Sequence, residues 1–295
     1  MKLASIDIGS NAARLLIAEI KSPTDYSKLN LLRIPLQLGF DVFENGRISP
    51  EKKDLFIKTM KVFKDLMTIY SVEDFRICAT SAMRDAENAE EITQEIKEIT
   101  GLEIEVISGD EEASILYENH LSSNLHDEPY QAFVDVGGGS TEITLYGNQK
   151  LIKKHSFNIG TIRILNDHSP DEEWQLMKEF CKTHLKSQPF QLIGSGGNIN
   201  KIFSMSKMKD GEPVGLNFIK KLHQNLTSLS LDERIKLYNL RMDRANVIVP
   251  ALHIYLNIMK WGACKEIYVP KIGLADGMVK KLYADKYLLS VNFQP

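Results

Sequence analysis

The chain has 295 residues, 43% of them hydrophobic and 25% charged, with a formal net charge of −3 at neutral pH. That composition is globular, with room for two ordinary domains, and it excludes the global basic field that draws nucleic acid or an anionic membrane. Cys78, Cys181 and Cys264 are odd in number and far apart, which argues against a disulfide framework or zinc spacing and for a reducing compartment. MKLASIDIGS enters a strand-like run without a signal-peptide core, and no apolar stretch is long enough to span a bilayer, so the expected location is cytoplasmic.

In chain order, LASIDI reads as a buried strand, ARLLIAEI as a second, and NLLRIPLQLG as a third. Ser49 and Pro50 supply an N-cap and a first-turn proline for a helix through LFIKTMKVFKDLMTIY. FRICATSA is a strand, followed by a polar helix over roughly 86–100. GLEIEVIS is another strand, and Ser108 to Glu111 has the spacing of a capping box. The polar, aperiodic SSNLHDEPY, 122–130, predicts a domain boundary. Beyond it QAFVDV, STEITLYG and KLIKKHSFN read as strands, with a helix near 160–168 and another capped at Ser169 and Pro170. FQLIGSGGNINKIF reads as strand, glycine turn and helix. Ser230 and Glu233 form a capping box, EIYVPK is a late strand, and the last helix is expected from about Gly273 to Leu289.

SIDIGSNAARLLIAEI and FVDVGGGSTEITLYGN share one plan: an apolar strand ending in Asp, then x-Gly, small residues and another strand. This weak internal repeat predicts a duplicated α/β domain with a cleft between the copies. The glycines are not a dinucleotide fingerprint, which must open a helix; Gly137, Gly138 and Gly139 run into STEITLYG, which alternates as a strand does. Walker A chemistry fails too, because no Gly-Lys-Ser/Thr follows. A plain hairpin turn and a cradle of backbone N–H groups for a phosphate both stay open.

Asp135 ends one strand and Glu142 begins the next, and Asp7 holds the equivalent place in the first half. Carboxylates beside a phosphate repel it unless a cation intervenes; Mg²⁺ suits this, and solvated surface acids are the other reading. In GSGGN, 194–198, a strand does enter a helix. Gly196 and Gly197 there offer an anion site, or merely close strand–helix packing. Glu111 completes the capping box, whereas Glu112 is not needed for it and is either a solvated residue or a functional one.

The motifs IDIGSNAARLLI (6–17), ATSAMRDAEN (79–88), ISGDEEA (107–113), DVGGGSTE (135–142), IGTIRI (159–164), GSGGN (194–198), RMDRANVIVPA (241–251) and GLADGMV (273–279) together resemble the exopolyphosphatase / guanosine-pentaphosphate phosphatase (Ppx/GppA) family, in its short two-domain form. The resemblance implies two ribonuclease-H-like domains of the actin, Hsp70 and sugar-kinase type flanking a cleft. The first comprises 1–124 plus a C-terminal helix at about 274–295, the second 125–273. It implies Mg²⁺-dependent hydrolysis of the terminal phosphate of polyphosphate or guanosine pentaphosphate. Glu112 matches the catalytic base, Asp135 and Glu142 the metal and water ligands, with Asp7 added from the repeat. Arg84 matches an arginine on the phosphate chain, Ser10 and Asn11 the first phosphate loop, and Gly137 to Thr141, including Ser140, the second.

The chain departs from the family pattern at Ala12, Ser114, Asn119 and Asn198, which puts phosphate-chain or base recognition in question. A guanosine-polyphosphate sensor with little turnover is therefore the alternative, and an ATP-dependent kinase a third reading that the EEA segment argues against. Arg163, Arg241 and Arg244 are read either as cleft residues or as structural partners. The seven histidines show no paired spacing, and Trp174 and Trp261 are expected in the core. No nucleic acid or membrane partner is expected, and a homodimer stays open.

Overall fold

The computed structural model describes residues 1–22, 25–121, 128–271 and 273–288. Residues 122–127 of the expected boundary segment, and Leu289 at the expected end of the last helix, lie outside them. Among the described residues no helix is long and apolar enough to cross a membrane. The chain divides into two compact units, Met1–Asn119 with Leu274–Pro295, and His120–Gly273.

In the first unit β1 (Lys2–Ile8), β2 (Ala13–Ser22), β3 (Asp25–Ile34), β4 (Asp74–Ala79) and β5 (Glu105–Val106) make one sheet in the order β3-β2-β1-β4-β5. β2 is antiparallel to β1 and β3, while β4 is parallel to β1 and β5. Both faces of β1 are covered, so Leu3 to Ile8 are buried without a break, Ser5 and Asp7 included. The helices are α1 (Leu38–Asn45), α2 (Pro50–Ile69), α3 (Ser81–Asp85), α4 (Ala89–Thr100) and α5 (Gly109–Leu121). Ser49 caps α2 as expected, accepting the Lys52 amide at 3.4 Å.

Three elements differ from the sequence reading. The third strand starts at Asp25 and stops at Ile34, because Pro35 has no N–H for the ladder; Gln37 is left-handed and Leu38 opens a helix instead. FRICATSA leaves the strand at Ala79, and Ser81 starts α3. GLEIEVIS keeps only Glu105–Val106 in strand; Val106 pairs with Ala79, where β4 ends, so the ladder does not run on to Ile107 and Ser108.

The second unit repeats the plan. β6 (Tyr130–Val136), β7 (Thr141–Gly147), β8 (Lys150–Phe157) and β9 (Gln191–Ser195) lie in the order β8-β7-β6-β9, the same order and directions as β3-β2-β1-β4. Its helices are α6 (Thr161–Leu165), α7 (Asp171–Thr183), α8 (Gly196–Ser206), α9 (Leu216–Thr227), α10 (Leu231–Tyr238), α11 (Met242–Ala245) and α12 (Ile248–Trp261). A two-stranded ribbon pairs β10 (Val214–Gly215) with β11 (Glu266–Ile267). EIYVPK is a strand only at β11, with Tyr268 bridged to Ile193.

α12 forms the centre of this unit's core. Ile248, Leu252, Ile254, Ile258 and Met259 are fully buried on it, each such side chain stabilising the unit by about 1.5–3 kcal/mol. Trp174 and Trp261 pack against that core only partly buried. α10 has the expected capping box, with Ser230 and Glu233 satisfying each other's backbone amides. Ser169 does not cap α7: Pro170 takes the cap position, and the buried Ser169 hydroxyl has no hydrogen-bond partner among the described residues.

The last helix, α13 (Leu274–Tyr283), belongs to the first unit. The Ser5 hydroxyl donates to the Ala275 carbonyl at 2.7 Å. Ala275, Val279 and Leu282 close a core cluster with Leu3, Leu16, Ala18 and Ile20.

Candidate functional site

The triple glycine is a hairpin turn between β6 and β7, and its backbone has a definite polarity. The Gly137 amide donates to the Ser140 carbonyl at 2.9 Å, closing the turn. The Gly137 and Gly138 carbonyls then accept the Thr161 and Ile162 amides at 3.0 and 2.8 Å, at the start of α6. Arg163 Nε donates to the Gly139 carbonyl at 2.7 Å, which makes this arginine a structural partner of the loop. The carbonyls are thus taken up by α6. The amides of Gly138, Gly139 and Ser140 donate no bond within the described protein and remain available as donors. Gly160 permits this arrangement; a Cβ there would lie 2.3 Å from the Gly138 carbonyl oxygen.

The first unit holds the same device. The Gly9 amide donates to the Ala12 carbonyl at 3.1 Å, and the Ser10 and Asn11 carbonyls accept from Gly39 and Gln37 at 2.8 and 3.0 Å, where α1 begins. The unpredicted helix α1 therefore does for this loop what α6 does for the other. Ser10 and Ala12 are buried, and the missing hydroxyl at Ala12 falls inside this turn.

Register sets the carboxylates. Asp135 lies directly opposite Glu142 across β6–β7, and Asp7 opposite Arg14 across β1–β2. Asp7 Oδ2 accepts from Arg14 Nη1 at 2.7 Å, so the first hairpin carries its own cation. The second places two acids at the same pair of positions. Glu142 is 5% exposed and its Oε1 accepts the Ser156 hydroxyl at 2.8 Å; Asp135 Oδ2 accepts the Ser195 hydroxyl at 3.1 Å. Gly196, at φ +88°, approaches Asp135 so closely that a Cβ would lie 2.5 Å from its Oδ1. Gly196 and Gly197 open α8, which has no side-chain cap. Asp135, Glu142, the glycine loop and the α8 terminus therefore gather at one end of the second sheet.

Tyr255 is wholly buried and donates to the Ser195 carbonyl at 3.3 Å. Burial, and then the Asp135 carboxylate, push its hydroxyl well above the ordinary tyrosine range. Among the described residues no cluster of three or more His, Cys, Asp or Glu forms a protein-only metal cage. Mg²⁺ binds through one or two carboxylates completed by water and phosphate oxygens, and the facing pair Asp135 and Glu142 fits that donor set.

Glu112 lies in the first turn of α5, in the other unit, with its amide donating to the Ser108 carbonyl at 3.0 Å. Its side chain is 14% exposed, unlike a solvated helix face, and its Oε2 is 3.3 Å from Arg84 Nη1. Arg84 also donates to the Ile107 carbonyl at 2.9 Å. Glu111 keeps half of the capping box, its amide donating to Ser108 Oγ at 3.1 Å, while its carboxylate goes to Arg76.

Ser156, Ser195, Tyr255 and Arg76 escaped the sequence reading. Ser156 is legible only through register, opposite Glu142 on β8. Asn198 is buried: it donates to the Val136 carbonyl at 2.9 Å and accepts from Arg244 at 3.2 Å, so this departure from the family pattern serves as a strut behind the glycine loop. Ser114 is exposed and bonds back to the Asp110 carbonyl at 2.9 Å. The side chain of Asn119 lies outside the described residues.

The profile of the Ppx/GppA phosphatase family matches residues 17–285. A bifunctional 3-dehydroquinate synthase/phosphatase of Fusobacterium nucleatum is 34% identical over 80% of this chain, which spans only 38% of that relative's length. Exopolyphosphatase 2 of Mycobacterium tuberculosis is 27% identical, with 84% of this chain and 86% of the relative covered. The crystal structure of an Aquifex aeolicus member of the Ppx/GppA family aligns with a TM-score of 0.78 at 28% identity, covering 100% of this chain and 99% of that one.

Proposed function

The chain belongs to the Ppx/GppA phosphatase family, and from that premise we propose that it releases orthophosphate from the end of inorganic polyphosphate, of guanosine pentaphosphate, or of both, with Mg²⁺ as cofactor. The observation that carries this reading is the polarity of the glycine loop. Its carbonyls are consumed by α6 and its amides are left as donors beside two facing carboxylates. That combination suits a phosphate chain and its counter-cation, and a plain hairpin has no need of it.

In this mechanism Glu112 accepts a proton from the attacking water, and its contact with Arg84 at 3.3 Å orients it. The Arg84 guanidinium has further N–H groups that make no bond among the described residues; they are assigned to the substrate phosphate. Amides of the triple-glycine loop and of the α8 terminus are assigned to the phosphoryl oxygens, where they stabilise developing charge. Asp135 and Glu142 would hold Mg²⁺, which when bound neutralises phosphate charge. Asp7, already neutralised by Arg14, is assigned to a water rather than to the metal.

The test is a side-by-side assay of long-chain polyphosphate, short-chain polyphosphate and guanosine pentaphosphate with Mg²⁺. Phosphate release from at least one is expected, and Glu112→Gln lowers kcat by a factor on the order of 10²–10⁴. No release from any substrate, or full activity in Glu112→Gln, overturns the mechanism. The four departures from the family pattern favour one alternative, a sensor of guanosine polyphosphates; saturable nucleotide binding without turnover would select it.

A further inference from the structure

We propose that Arg76, which lies outside every motif that carries the family resemblance, is a positioning residue for Glu112: it pins the first turn of α5 through Glu111 and masks that neighbour's charge. The inference rests on reading Glu112 as the base.

Arg76 projects from β4 and is 15% exposed. Its Nη2 donates to Glu111 Oε1 at 2.8 Å and to Glu105 Oε2 at 2.7 Å, while Nε lies 3.2 and 3.3 Å from the two Glu105 oxygens. One guanidinium therefore joins β4, β5 and α5, a geometry that a planar fork can make and an ammonium cannot. The turn needs such a tie. It presents Asp110, Glu111 and Glu112 in succession. The helix terminus favours each carboxylate, but they repel one another.

Two arginines from one continuous segment, 74–85, divide the work. Arg84 on α3 takes Glu112 and Arg76 on β4 takes Glu111. Among the described residues the charged groups near Glu112 include Arg84 from α3, Asp110 and Glu111 on its own helix, and Arg76 from β4 with Glu105 of β5 behind it. Exposed ion pairs add little to global stability. The expected effect is on where Glu112 points and how readily it ionises.

The experiment compares Arg76→Met, Glu111→Gln and their combination with the wild-type protein and Mg²⁺, on whichever polyphosphate substrate turns over. Both single variants break the same bond, and each lowers kcat on the order of tenfold with KM changed by less than about twofold. Their pH profiles move in opposite directions. Arg76→Met unmasks Glu111, favours the protonated form of Glu112 and shifts the acid limb upward. Glu111→Gln removes the anion and shifts it downward. Arg76→Lys keeps the limb in place and recovers only part of kcat.

A second readout needs no turnover. Hydrogen exchange at the Glu111 and Glu112 amides speeds up in Arg76→Met while amides of β1 and β2 keep their protection. Unchanged exchange overturns the pin, and shifts of the same sign overturn the masking. If the wild-type protein releases no phosphate, the hydrolase reading fails and the exchange measurement decides the pin alone.

Discussion

Gly196 is a residue at which the proposed site tolerates little. Its φ of +88° disfavours any side chain, and the Asp135 carboxylate occupies the space a Cβ would fill. Gly196→Ala is expected to destabilise the second unit by about 1–2 kcal/mol from backbone conformation alone. Phosphate release should fall with it, because Asp135 must move. A variant with wild-type melting and activity would show that Asp135 has no part in the reaction. Tyr255 is a milder case. Tyr255→Phe leaves the Ser195 carbonyl without that donor, so a loss of about 1 kcal/mol is expected, read as a lower midpoint in urea, with kcat retained more fully than in Gly196→Ala.

Helix packing brings together groups that the sequence keeps apart. His223 on α9 and His253 on α12 are 30 residues apart in the chain, yet their rings lie 5.7 Å apart at the contact between those helices. Burial lowers both pKa values; for His253 the neighbouring His223 and then Lys260 add to it, and for His223 Lys260 does. A histidine depressed in the folded state binds fewer protons there than when unfolded. Stability present above the ordinary value of about 6.5 is therefore lost as pH falls through the lowered folded value. The second unit should melt at lower temperature at pH 5 than at pH 7, and His253→Gln should flatten that dependence; an unchanged slope would show that the pair is not the origin.

Elements also differ in how legible they were. The caps at Ser49 and Ser230 were readable because a cap is a bond between residues three apart. The signal at Ser169 is similar, but its hydroxyl is buried away from the helix start and Pro170 has the extended backbone of a cap. The bounds of β3 are not legible because its polar, exposed residues carry little period-two signal. Helix α1 is not legible because LGFDVFEN is short and follows a strand-like run.

At the scale of the whole molecule, the last segment belongs to the first unit. α13 supplies Leu274 and Met278 to a core cluster with Cys78, Ile107, Ile115 and Leu116, besides its contacts with β1 and β2. Ending the chain before Leu274 should unfold the first unit and leave the second folded, since the second unit's core draws nothing from α13. Calorimetry of the truncated chain checks this: one surviving transition is expected, and two would contradict it.

The sequence by itself determined the family, the duplication and the identity of the carboxylates and glycines, because these are local signals: Asp, x, Gly and small residues between two apolar runs, repeated once. Even the strand reading of STEITLYG needed only period-two alternation. Tertiary structure decided what those residues face. The carbonyls of each hairpin loop are claimed by a helix start more than 20 residues further along the chain, and in the triple-glycine loop this leaves amides as donors. Register made Arg14 and Glu142 occupants of the same place with opposite charge. Packing put Arg84 and Arg76 on either side of one helical turn. None of these follows from spacing, since each is a contact between segments whose approach is set by the burial of other residues.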